Sequence, residues 1–236
     1  MRKINILHLY PELLNMYGDK GNISALASRL KWRNIDAEVI VKNAGDEVCL
    51  EDIDIILLGG GADKEEEIVR SELFKIKDKL SEYIENGGVF LALCGGLSQL
   101  GKYIETPSGK KDCLGILDIY TEEKEKRIIG NAVLETELFE QKIVGFENHS
   151  GKINMESYKP LGKVLSRENE YEGLVYKNLL GTYLHGPLLP KNPMLCDYIL
   201  KKALEKKYSD FEGLDGLNDE LENTANEFVV KNYING

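Results

Sequence analysis

The chain has 236 residues, 42% of them hydrophobic and 30% charged, with 40 acidic against 30 basic residues and a formal charge of −10. This composition excludes collagen-like, mucin-like and wholly disordered chains, and the acidic balance argues against binding the phosphate backbone of nucleic acid. No apolar run reaches the roughly 20 residues that span a bilayer, and the N-terminus lacks a signal-peptide pattern, so a cytoplasmic protein that is not membrane-spanning is expected.

Residues 4–9 predict a strand, and 21–33 a helix with Ile23, Leu26, Ala27 and Leu30 on one face. Strands follow at 37–41 and 53–58, the second ending in Gly59-Gly60-Gly61. Residues 64–85 predict one long helix with Ile68, Leu73, Ile76, Leu80 and Ile84 inward, stopped by Gly87-Gly88. Residues 89–93 form a short, fully apolar strand. Apolar strands alternating with helices predict an α/β fold, a mainly parallel twisted sheet flanked by helices.

Beyond Cys113 the pattern changes to short strands at 116–120, 128–134, 142–146, 163–166, 174–176 and 179–184, joined by polar turns. Asn192-Pro193 opens a helix to about residue 207, whose Lys201, Lys202, Lys206 and Lys207 read as a solvated face. A turn at 212–216 precedes a last helix at 217–233, where Leu217, Leu221, Phe228, Val229 and Tyr233 suit packing on the core. The whole is expected to be one domain, 1–236, with a C-terminal helical extension from about residue 209.

The chemistry concentrates at residues 89–101. An apolar strand runs into Cys94, Gly95 and Gly96 follow at once, and a helical pattern begins. This is the layout of a nucleophile elbow, a sharp strand-to-helix turn that exposes the reactive side chain. Small neighbours tolerate the unusual dihedrals of such a turn. The helix N-terminus is expected to lower the thiol pKa, and the Gly95 N–H is placed to receive an oxyanion. Gly60 and Gly61, at the carboxyl end of another strand, are candidates for a second donor, because ligand sites of open α/β sheets lie at those ends. Cys49, Cys113 and Cys196 are scattered and no Cys-x-x-Cys pair exists, so no metal site or disulfide framework is expected. Gly96-x4-Gly101-Lys102 imitates part of a phosphate loop, but Tyr103 stands where Ser or Thr is needed.

A cysteine nucleophile needs a base. His8 lies inside the first strand and reads as a core residue. His185, at a strand end before Gly186-Pro187, is the first choice, and His149, in a polar turn after a strand, is the alternative; spacing alone does not separate them.

With Cys94-Gly95-Gly96 after an apolar strand and Tyr183-Leu184-His185-Gly186-Pro187 far downstream, the chain resembles the class I glutamine amidotransferases, in the cobyric-acid-synthase-like branch. The run 9–22 (LYPELLNMYGDKGN), Gly59-Gly60-Gly61-Ala62-Asp63 and Gly145-Phe146-Glu147-Asn148-His149 make it similar to the glutaminase subunits that serve lipid II amidation, over residues 4 to about 205. The resemblance implies a flavodoxin-like fold in which Cys94 attacks the side-chain amide of L-glutamine, ammonia leaves, and His185 activates the water that hydrolyses the glutamyl thioester. It implies that Arg127 binds the substrate carboxylate, a role suited to a bidentate guanidinium. It further implies a heterodimer with a Mur-ligase-like catalytic subunit at the inner face of the cell membrane. That partner would hold ATP and Mg²⁺ and use the ammonia to convert D-glutamate of lipid II to D-isoglutamine in peptidoglycan biosynthesis. No cofactor is expected in this chain.

Two departures from the class I pattern stand out. Ser98 replaces the glutamine usual four residues after the cysteine, with Gln99 one place later, and Pro187 replaces the acid usual two residues after the histidine. The group that orients His185 is therefore open: Asp19, Glu147 and a partner carboxylate are candidates, the partner being slightly favoured. His149 then has an orienting or structural role. A corrin side-chain amidotransferase and an inactive regulatory subunit are the competing readings.

Overall fold

The computed structural model describes residues 2–168 and 170–234. In its first half β1 (Lys3–Leu9), α1 (Lys20–Trp32), β2 (Asp36–Lys42), β3 (Ile55–Leu58), α2 (Asp63–Lys75), α3 (Lys77–Glu85), β4 (Val89–Leu93) and α4 (Gly95–Leu100) follow in order. Next come β5 (Tyr103–Thr106), β6 (Gly109–Asp112), β7 (Ile119–Glu135), β8 (Ile143–Met155), β9 (Gly162–Val164) and β10 (Tyr171–Glu172). The chain then returns through β11 (Leu174–Tyr176) and β12 (Leu179–Thr182) to α5 (Pro193–Lys207) and α6 (Glu220–Ile234).

The main sheet has the order β2-β1-β3-β4-β12-β11 and is parallel except for β11. Its central strands are apolar at every position because both faces are covered. Ile4, Ile6, Ile55 and Leu57 point into a core shared with α1 and α5, while Leu7, Leu9, Ile56 and Leu58 point into a second core under α2 and α3. His8 is buried within β1, where burial lowers its pKa to about 4. It behaves as the core histidine its position predicts.

The helix expected over 64–85 is two helices that meet at Ile76 (φ −116°, ψ 10°). The Ile76 N–H bonds three residues back to Leu73 O, and that tightened turn lets Val69, Leu73, Leu80 and Ile84 all reach the core. Ile68, expected inward, is half exposed, and Val69 takes its place.

The second half builds a separate, mostly antiparallel sheet, order β10-β9-β7-β5-β6 with β8 paired to β7. The runs 116–120 and 128–134 fuse into β7, because the polar stretch between them continues the strand as a two-sided arm, with a register shift between Glu123 and Ile128. β5 and β6 have little apolar patterning and escape prediction. On α6, Leu221 and Phe228 are exposed rather than packed on the core. The helix is held instead by buried Asn226, whose amide donates to Lys142 O, Lys191 O and Asn192 Oδ1. Lys201 and Lys202 pair with Glu205, and Lys207 with Asp54, as a solvated face requires.

Candidate active site

Cys94 follows directly on β4 and holds φ 48°, ψ −118°, a left-handed conformation for a non-glycine residue. Strain of this kind costs on the order of 1–3 kcal/mol and persists only where the surroundings enforce it. Here its N–H donates to Thr182 O at 2.7 Å, tying the elbow to the end of β12. The glycines around it are required by contact. A methyl on Gly96 would lie 2.6 Å from Leu58 O, and one on Gly60 would lie 2.9 Å from Cys94 Cβ and 3.2 Å from His185 Cε1. Cys94 and His185 thus flank the same glycine, at the carboxyl ends of neighbouring parallel strands.

His185 is fully buried, and its backbone exchanges hydrogen bonds with Phe146 of β8. The turn that delivers it is clamped by Glu172, which accepts from the Thr182 hydroxyl at 2.7 Å and the Tyr183 N–H at 2.5 Å. Burial pushes the Glu172 carboxyl up to about 7. Pro187 presses on the start of α1, where a methyl on Gly21 would meet its ring at 2.5 Å. The proline that stands where an acid was expected therefore packs against the helix whose N-cap is Asp19. Asp19, itself unexposed, places Oδ1 3.5 Å from His185 Nδ1, and its Oδ2 accepts the Gly60 N–H at 3.2 Å.

The other candidate orienting groups are not brought to His185. Glu147 is held by Arg167 at 2.8 and 2.9 Å and lies 3.4 Å from His149 Nε2. Against the effect of burial, hydrogen bonds from His149 and Arg167 and the Arg167 charge keep its pKa below the usual carboxylate value. The alternation of β8 is the reason: Phe146 pairs with His185, so the adjacent Glu147 projects to the opposite side. His149 lies inside β8 rather than in a turn after it, because the polar residues beyond Phe146 continue the pairing with β7. It bonds Gly151 O at 2.8 Å, stacks on Tyr183 at 4.2 Å and lines the same cleft as Cys94.

The cleft above Cys94 has a volume of about 560 Å³. Arg127 lines it from β7, fixed by Asn148 Oδ1 at 2.5 Å and Asn148 O at 3.0 Å. The Asn148 amide also donates to the Tyr17 hydroxyl, and the Tyr17 ring lies 5.1 Å from that of His185. Ser98 lines the cleft, bonded to Tyr183 and Thr121 hydroxyls at 2.8 and 3.0 Å, whereas Gln99 turns away to accept from Arg70 Nε at 2.9 Å. Tyr17 and Asn148 fall inside the motifs that carry the resemblance, which assigns them no role, and Glu66, which lines the cleft from α2, has no sequence signal that marks it out.

The thiol itself departs from expectation. Burial, reinforced by the Glu66 carboxylate, pushes Cys94 up to about 12 despite the helix start beside it. α4 spans only 6 residues, so its dipole is outweighed by desolvation. Burial also raises Glu66 itself to about 7. Among the described residues no group of three or more His, Cys, Asp or Glu could hold a metal ion, and no helix is long and apolar enough to cross a membrane.

A family model for CobB/CobQ-like glutamine amidotransferase domains matches residues 5–193. The chain is 43% identical, over 98% of its length and 96% of the relative's, to a lipid II isoglutaminyl synthase (glutamine-hydrolyzing) subunit GatD of Staphylococcus aureus strain N315. It is 38% identical to the protein of that name in Streptococcus pneumoniae strain R6, over 87% of this chain and 82% of the relative. A cobyric acid synthase of Clostridium acetobutylicum is 28% identical over 66% of this chain and 34% of its own length. Among solved structures, one described as a glutamine amidotransferase superposes with a TM-score of 0.58 at 19% identity, covering 84% of this chain and 98% of that one. That last likeness speaks for the fold alone.

Proposed function

The chain belongs to the CobB/CobQ-like glutamine amidotransferase family, and from that premise we propose that it is the glutaminase subunit of a lipid II isoglutaminyl synthase. Cys94 Sγ attacks Cδ of glutamine as its proton passes to His185, and the carbonyl electron pair moves onto oxygen. The Gly95 and Gly61 N–H groups receive that oxyanion. Collapse of the tetrahedral species breaks the C–N bond, His185 returns the proton, and ammonia leaves a glutamyl thioester. His185 then deprotonates a water that attacks the thioester carbon, releasing glutamate and the thiol. Arg127 forks onto the substrate α-carboxylate, and Asp19 fixes the tautomer of His185 so that Nε2 faces the thiol.

The observation that carries this reading is the placement of Cys94 and His185 on either side of Gly60, with Asp19 behind the imidazole. The acceptor side rests on likeness to the two GatD subunits, whose name makes them parts of a lipid II isoglutaminyl synthase. A Mur-ligase-like partner then takes the ammonia and, with ATP and Mg²⁺ bound to it, amidates D-glutamate of the lipid II stem. The corrin alternative is weaker, since the cobyric acid synthase is 28% identical to this chain against 43% and 38% for the two GatD subunits. The test is release of glutamate from glutamine by the chain with its partner, and transfer of amide-labelled nitrogen into lipid II, with Cys94→Ala as the blank. No glutamate release would remove the glutaminase; release without transfer would remove the acceptor.

A further inference from the structure

Glu66 sits in the first turns of α2 and reaches back over the Gly59-Gly60-Gly61 turn. Its Oε1 accepts the Gly61 N–H at 3.3 Å. A methyl built on Gly95 would lie 1.6 Å from Oε1, 2.2 Å from Cδ and 2.6 Å from Oε2. The carboxylate is therefore laid against the backbone of the residue after the nucleophile, inside the cleft that Cys94 opens into. The proposed reaction needs this volume. An oxyanion must come within about 3 Å of its donors, and the donor from Gly61 is engaged. The other loop donor, Gly60 N–H, is engaged by Asp19. A carboxylate beside a forming alkoxide also opposes it by like-charge repulsion, as it opposes the Cys94 thiolate.

We infer that Glu66 is a blocking residue: in the free chain its carboxylate occupies the oxyanion position between Gly61 and Gly95, and turnover requires the side chain to leave it. The inference rests on the glutaminase reading of the site. Space for the movement exists, because Ala62, Asp63 and Lys64 at the head of α2 are exposed. No backbone shift is needed to free the Gly61 N–H.

The test uses the full chain without its partner, as wild type, Glu66→Ala and Glu66→Gln, and reads two rates: glutamate release from glutamine, and alkylation of Cys94 by iodoacetamide after subtracting a Cys94→Ala background. Glu66→Ala is expected to hydrolyse glutamine at least about tenfold faster than wild type, a fraction of what one oxyanion donor contributes. Glu66→Gln retains an oxygen that can accept the Gly61 N–H and is expected to fall between the two. An unchanged or lower rate in Glu66→Ala overturns the blocking role, and a lower rate with a raised KM makes Glu66 a substrate contact. If no form hydrolyses glutamine, with partner or without, the functional reading falls and alkylation alone decides. Faster labelling of Glu66→Ala then retains the block over the thiol, and equal labelling rejects it.

Discussion

Asp19 Oδ1 and His185 Nδ1 face each other across 3.5 Å in a pocket closed to solvent, although one residue follows the first strand and the other follows the last parallel one. Both atoms are buried and neither has a hydrogen-bond partner among the described residues. A base without an orienting group is free to hold the wrong tautomer; on the proposed reading Asp19, at the N-cap of α1, supplies that group in place of an acid two residues past the histidine.

Replacing Asp19 by Asn should preserve the volume and lose the charge. We expect kcat for glutamine hydrolysis by the complex to fall about 10²–10⁴-fold, the scale seen when a triad acid is neutralised. A fall below about tenfold would transfer the orienting role to a carboxylate of the partner.

Arg127 is the cation held in the cleft by Asn148. Arg127→Ala should raise KM for glutamine by roughly 10- to 100-fold, the effect of losing a charged hydrogen bond worth about 1.5–3 kcal/mol, with kcat altered less. Arg127→Lys should not restore KM, because an ammonium cannot fork onto a carboxylate. Full rescue by lysine, read in steady-state kinetics, would refute the bidentate role.

The thiol of the free chain should behave as a protonated, poorly reactive group at neutral pH. With Cys94 raised to about 12 by burial and then by Glu66, its alkylation rate should keep climbing beyond pH 10. An ordinary cysteine levels off above its pKa of about 8.5. A plateau at that point, in rates corrected with Cys94→Ala, would show that the elbow leaves the thiol unshifted.

Burial pushes the Glu172 carboxyl up to about 7 from an ordinary value of 4.5. A carboxyl whose folded pKa is raised binds its proton more tightly in the native state, so its stabilising effect is complete below pH 4.5 and lost as pH rises through 7. Glu172→Gln removes that titration. Relative to wild type, the variant should gain up to about 3 kcal/mol of unfolding free energy between pH 4.5 and 7, measured by urea denaturation. A pH-independent difference would contradict the raised pKa.

Arg29 of α1 pairs with Asp197 of α5 and with Asp219 just before α6, while Arg33 takes the remaining face of Asp197. These guanidiniums are almost wholly enclosed. Truncation to Ala at 29 should destabilise by about 1–3 kcal/mol, because it leaves the partly buried Asp219 carboxylate without this cation while Arg33 still holds Asp197. A loss under about 1 kcal/mol in thermal or urea unfolding would show the network to be solvent-screened.

What the sequence alone determined is local and contiguous. Residues 89–96 specify an apolar strand, a turn and a helix start with no help from elsewhere, so the nucleophile was legible. The largely apolar runs at 4–9, 53–58 and 89–93 declared a parallel sheet, because strands covered on both faces read as near-continuous apolar runs. His185 was legible as a strand-end histidine, and the resemblance to class I amidotransferases singled it out from His149. Tertiary structure decided the rest. Asp19 and His185 meet only because strand order places β1 and β12 on either side of β3 and β4, while Pro187 docks on Gly21. Glu147 was lost as a candidate by one position of strand alternation. Glu66 gave no sign of its position over Gly95, since a glutamate in the first turns of a helix usually faces water. The thiol pKa likewise depended on burial and on a charge from another element, and those follow from packing rather than from neighbours along the chain.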